Sequence, residues 1–194
     1  YEIVFGDWSS DVCFPIFITD GRDVSPTSAK EFLVQIEAIC DESIDIATIG
    51  GRFYTMDRDN RWERVQKGYD AIVFASPKTF LTPMEYIEQS YKKGENDEFI
   101  EPVAFDRFNG IANNDSVLMV NFRSDRAREI TVALGDKKFS HFDTKKININ
   151  IVTMTTYDSN FNYPVLFPKD NPANTLAEVR SEEHTSELQS PNTI

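Results

Sequence analysis

The chain has 194 residues, is 40% hydrophobic and carries a formal net charge of -12 at pH 7. That length suits one domain with its own core, and no run of about 18 apolar residues offers a membrane span. The acidic balance argues against nucleic-acid binding through a broad basic face.

Tyr1 opens directly into "YEIVFGD", with neither an initiator Met nor a basic, apolar leader, so the start reads as the middle of something longer. The lead-in from Tyr1 to Val12 has no assignable structure. "CFPIFIT" (13–19) reads as a buried strand ending in an Asp-Gly turn. In "SPTSAKEFLVQIEAIC" Pro26 suits a helix start, with Ser25 or Thr27 as cap; Phe32, Leu33, Ile36 and Ile39 recur at helical spacing. Cys13 and Cys40 both lie in apolar runs. They read as small buried hydrophobes of a reducing compartment rather than as a disulfide or a reactive thiol.

"IDIATIGG" (44–51) alternates, is rich in β-branched residues and reads as a strand. A helix is expected from near Asp59 through "VQKGYDAIVFA", with Val65, Tyr69 and Ile72 or Val73 as its stripe. "TPMEYIEQSYKKG" predicts a helix capped by Thr82, with Pro83 in its first turn and Gly94 as its stop. "SVLMVNF" (116–122) reads as a strand, and "SDRAREITVALGD" as a helix capped by Ser124 or Asp125 and closed at Gly135. "ININIVTMTTYD" (147–158) reads as a further strand. The order implies an α/β domain, with a layered, mixed or mostly parallel sheet flanked by helices.

The tail "RSEEHTSELQSPNTI" (180–194) has no periodicity. Its first part resembles the translation of a sequencing-library adapter, so the domain is taken as residues 1–179, incomplete at both ends.

The arginines are unevenly spread. Outside the tail there are nine, and eight fall in "DGRD" (Arg22), "GRFYTMDRDNRWER" (Arg52, Arg58, Arg61, Arg64) and "NFRSDRAR" (Arg123, Arg126, Arg128). Each segment follows an expected strand, and ligands of open α/β sheets bind at the carboxyl ends of strands. The planar guanidinium grips carboxylate or phosphate with two parallel bonds. The neighbouring Asp20, Asp23, Asp57, Asp59 and Asp125 are suited to holding those forks, and one of them to handling a substrate hydroxyl or its proton. Each segment alone also fits a plainer reading, a salt-bridged or capped helix start, with Arg61, Trp62 and Arg64 as scaffold.

"TDGRDVSP", "GRFYTMDRDNRWERVQKGYDAIV", "NFRSDRAR" and "TMTTYD" resemble, in order, motifs of the cofactor-independent phosphoglycerate mutases. That family has a phosphatase-like domain, with a serine nucleophile and two metal ions, usually Mn2+, and an inserted phosphotransferase domain. This chain is similar only to the second. The resemblance implies interconversion of 3-phosphoglycerate and 2-phosphoglycerate through a phosphoserine, in glycolysis and gluconeogenesis. It implies substrate contacts from Arg22, Asp23, Arg52, Arg58, Arg123 and Arg126, with Asp23 also shuttling a proton. A cytoplasmic monomer without nucleic-acid or membrane partners is expected. The family's substrate-binding histidine and its "TEKYAH"-like lysine have no counterpart, and His141 matches neither. The serine and both Mn2+ would belong to the missing phosphatase-like domain, so this fragment alone is expected to be inactive. The alternative is a stand-alone anion-binding or regulatory module.

Overall fold

The architecture follows from apolar segments that alternate between two faces of one sheet. The computed structural model describes residues 2–6, as backbone, and 12–168. The readings of Tyr1, of 7–11 and of the tail therefore lie outside the described residues. Seven strands run in the order β4-β5-β3-β2-β1-β6-β7. They are β1 (Glu2–Gly6), β2 (Ile16–Thr19), β3 (Thr48–Gly51), β4 (Lys78–Thr79), β5 (Val103–Phe105), β6 (Ser116–Met119) and β7 (Asn150–Thr153). The β2–β3, β4–β5 and β6–β7 pairs are parallel, while β1–β2, β1–β6 and β3–β5 are antiparallel. The sheet is thus mixed, and β2, β3, β6 and β7 all point the same way.

Helices α1 (Ala29–Glu37), α3 (Trp62–Phe74), α4 (Pro83–Lys92) and α5 (Ser124–Gly135) cover the sheet, with a single turn α2 (Arg52–Thr55) after β3. Strand β2 shows the division. Ile16 and Ile18 enter one core with Val65, Tyr69 and Ile130, from α3 and α5. Phe17 enters the other with Leu33, Ile36 and Ile87, from α1 and α4. Burying each such side chain contributes about 1.5–3 kcal/mol.

Several boundaries differ from the expectation. Helix α1 starts after Ser28, not after Ser25 or Thr27, because the buried Asp97 carboxylate accepts the N–H groups of Ser28 (2.8 Å) and Ala29 (2.9 Å). Helix α3 starts at Trp62 rather than near Asp59, because Asn60 turns left-handed with φ 58°. The residue preceding α5 is Arg123, with no side-chain cap, and Ser124 and Asp125 lie inside the helix. The strand expected over 147–158 pairs only from Asn150 to Thr153. Thr82 does cap α4, with Pro83 at its first position and Glu85 completing a capping box. The cysteines are free and only partly buried. Cys13 is pushed up to about 11 by burial and then by Cys40.

Candidate functional site

Strands β2, β3 and β6 release their chains at one edge of the sheet, so "DGRD", "GRFYTMDRDNRWER" and "NFRSDRAR" meet there. Two glycines set how closely. A Cβ on Gly51 would lie 2.2 Å from the Glu98 carbonyl oxygen, and one on Gly21 (φ 66°) would lie 2.7 Å from Asp97 Cβ. The turn at 97–99 therefore rests directly on the ends of β2 and β3. The Thr19 hydroxyl donates to the Asp97 carbonyl at 2.6 Å, which locks that turn to β2.

Arg52 is the centre of the rim. It is 3% exposed. One of its terminal nitrogens donates to both Asp20 and Asp23, the latter at 2.9 Å. Asp23 also accepts from Arg123 at 2.7 Å, so one carboxylate joins arginines from β3 and β6. Burial pushes the Asp20 carboxyl up, but the Asp23 N–H, Arg52 and the Arg22 N–H together hold it below its ordinary value. Asp23 is lowered chiefly by its bond to Arg52.

Arg52 separates two hollows. A smaller one of about 220 Å³ is lined by Asp20, Asp23, Asn121, Phe122 and Arg123. A larger one of about 400 Å³ is walled by six arginines, Arg22, Arg52, Arg58, Arg61, Arg64 and Arg126, together with Asp57, Asp59 and Glu98. Most of these cations have acidic partners. Arg22 meets Glu98 at 3.4 Å, Arg58 meets Asp125 at 2.9 Å, Arg61 meets Asp59 at 2.9 Å and Arg64 meets Asp57 at 3.6 Å. Arg64 also lies over the Phe53 ring, 3.8 Å from its centroid.

Arg126 differs. Among the described residues it forms no ion pair. One terminal nitrogen donates to the Met56 carbonyl at 3.0 Å, and its Nε is buried without a partner. Burial lowers its pKa, and the nearby Arg52 and Arg58 lower it further. A guanidinium without an ion-pair partner, beside other guanidiniums and with only the Asp125 charge acting against them, can accept an anion.

All six site residues expected from the sequence lie at this edge. Arg22, Arg52, Arg58 and Arg126 share the larger hollow, and Asp23 and Arg123 line the smaller one. Arg128 turns away, to the Tyr157 carbonyl and Asp158. Trp62 is scaffold, stacked on His141 at 4.3 Å. The sequence reading missed Glu98, which comes from a turn remote in sequence, and Asn121, whose side-chain oxygen accepts the Arg123 N–H at 2.6 Å. Asn121 follows a strand directly, in the motif already quoted, and that placement was the available signal. Among the described residues no group of three His, Cys, Asp or Glu side chains could hold a metal ion.

The model of the BPG-independent PGAM N-terminus family matches residues 9–159. The chain belongs to that family. It is 61% identical over 176 residues to the 2,3-bisphosphoglycerate-independent phosphoglycerate mutase of Sulfurimonas denitrificans, and 56% identical to that of Aliarcobacter butzleri. Each match covers 91% of this chain and 36% of the relative, so the chain spans about a third of the length of these family members. Among solved structures, a Leishmania mexicana phosphoglycerate mutase studied at low cobalt concentration is similar, with a TM-score of 0.74 at 30% identity. That likeness covers 82% of this chain and 32% of the other.

Proposed function

We propose that this chain is the substrate-binding part, the phosphotransferase domain, of a mutase interconverting 3-phosphoglycerate and 2-phosphoglycerate. The single observation that carries this reading is the cleft of arginines with Arg126 unpaired at its wall. A phosphoglycerate offers two anionic ends, one carboxylate and one phosphoryl group. Guanidinium forks on both sides of Arg52 suit such a molecule better than a single anion.

In this reading Arg123 and Arg126 clamp the carboxylate and phosphoryl end, and Arg22, Arg52 and Arg58 complete the grip. Asp23, tied to Arg52 and Arg123, accepts a hydrogen bond from the glycerate hydroxyl and holds its proton while the glycerate reorients. The nucleophilic serine and the two Mn2+ belong to a phosphatase-like domain of the same protein, and no step assigned to this chain passes through them. The glycolytic role, the cytoplasmic setting and the monomeric state belong to the same proposal.

The test is calorimetric titration of the chain with 3-phosphoglycerate, alongside a turnover assay with Mn2+. Binding that Arg123→Ala weakens, without turnover, supports the reading. Real turnover by this chain overturns the assignment of the chemistry to the other domain. Binding unaffected by Arg123→Ala overturns the site.

A further inference from the structure

At the wall of the larger hollow lies a pair of buried carboxyl groups, Asp57, which lines it, and Glu129, which does not. Asp57 is 4% exposed and Glu129, in the second turn of α5, is 6% exposed. Asp57 is well supplied with donors. One of its oxygens accepts the N–H groups of Asp59 (2.9 Å) and Arg61 (3.0 Å). The other lies 3.6 Å from Arg64 and 3.8 Å from Arg61.

Glu129 is poorly supplied. Its Oε1 accepts the Asn60 N–H at 3.0 Å, at the left-handed residue of the loop. Its Oε2 is buried with no donor to accept from. The Asp57 carboxyl is the acidic neighbour that acts most strongly on the Glu129 side chain. Two ionised carboxylates cannot bond to each other, and a single proton between them turns repulsion into a strong bond. Asp57 has two backbone N–H bonds and two guanidiniums around its oxygens, whereas Glu129 has a buried oxygen with no donor. Glu129 is therefore the member that holds the proton.

We propose that Glu129 is a positioning residue: a neutral carboxylic acid whose O–H donates to Asp57 and fastens the loop 57–61, with Arg58, against α5 beside Arg126. Burial pushes the Glu129 carboxyl up, and the Asp57 and Asp59 charges act in the same direction against the Asn60 N–H. Arg61 and Arg64 face Asp57 from the other side, and Asp125 and Arg126 lie on the preceding turn of α5. The geometry beneath this is the Asn60 N–H bond to Glu129 Oε1, which ties the loop to α5, and the buried Oε2 without a donor. The consequence of the fastening for the ligand rests on the anion-binding reading given above.

The experiment compares the chain with Glu129→Gln and Glu129→Leu. It measures urea midpoints from about pH 5 to about pH 8, with sulfate as the anion because its charge is constant over this range. Glutamine keeps a donor at the same place at every pH. The folding constant of Glu129→Gln relative to the parent should therefore rise with pH, by up to about tenfold per unit, until Glu129 ionises in the folded state. A ratio that does not change with pH overturns the proposal.

Sulfate affinity of the parent should fall only at the higher pH where Glu129 ionises in the folded state and the folding ratio levels off, while Glu129→Gln holds the acid-side value. Glu129→Leu, which offers no donor, should bind several-fold more weakly throughout. Equal sulfate affinity in all three proteins at every pH overturns the positioning role. If the parent binds no sulfate at any pH, the anion-binding reading fails, and the pH course of the urea midpoints still decides the protonation of Glu129.

Discussion

Replacing Arg126 with Met removes a charge at nearly constant side-chain length. The variant loses one bond from a charged donor, Arg126 to the Met56 carbonyl at 3.0 Å, worth about 1.5–3 kcal/mol. It also sheds a buried Nε–H without an acceptor, whose penalty is about 1–3 kcal/mol. It sheds the repulsion from Arg52 and Arg58 as well. These effects oppose each other, so stability should change by no more than about 2 kcal/mol in either direction. Binding of 3-phosphoglycerate has no such offset. Losing a charge-assisted bond of about 1.5–3 kcal/mol weakens the complex by roughly 10- to 150-fold. Urea denaturation and calorimetric titration of the same two proteins give both numbers. Unchanged affinity together with a loss of more than about 3 kcal/mol in stability would refute the reasoning, because Arg126 would then be structural.

Other expected outcomes follow from the same geometry. Gly51→Ala drives a Cβ to 2.2 Å from the Glu98 carbonyl oxygen, an overpacking that costs about 1–3 kcal/mol or more and displaces the 97–99 turn from the rim. Denaturation and titration should both register it, and a neutral outcome would mean the turn is not fixed there. Thr82→Ala removes the capping box of α4, away from the cleft. It should lower stability by about 1 kcal/mol in urea and leave 3-phosphoglycerate affinity unchanged. Acid should loosen the Asp20–Arg52–Asp23 network, since both carboxyls are held below their ordinary values. Their stabilisation is fully present above the ordinary carboxylate range of about 4 and is lost as the pH falls through the lowered values. An acid limb of the stability curve equally steep in Asp23→Asn would contradict the network.

Legibility followed the range of the interactions. The helix at 83–92 was readable because Thr82, Pro83 and Glu85 act within one turn, and β2 because three consecutive apolar residues, Ile16 to Ile18, are buried. Strands β4 and β5 escaped notice because two- and three-residue strands carry no period, and their existence depends on pairing with each other and with β3. The start of α1 was misplaced for a similar reason. Its N–H groups are satisfied by Asp97, a residue remote in sequence, rather than by a local cap.

The sequence by itself determined the α/β class and the delivery of arginines to strand ends, because both follow from local periodicity and from the order of motifs. Only the tertiary structure decided which arginines are already neutralised and which are not. Arg22, Arg58 and Arg123 have carboxylate partners in other segments, and Arg128 turns away from the rim. Arg126 forms no ion pair among the described residues, and Glu129 meets Asp57 across the interface of a loop and a helix. A charge becomes a binding site through what surrounds it in space, and those surroundings come from residues remote in sequence.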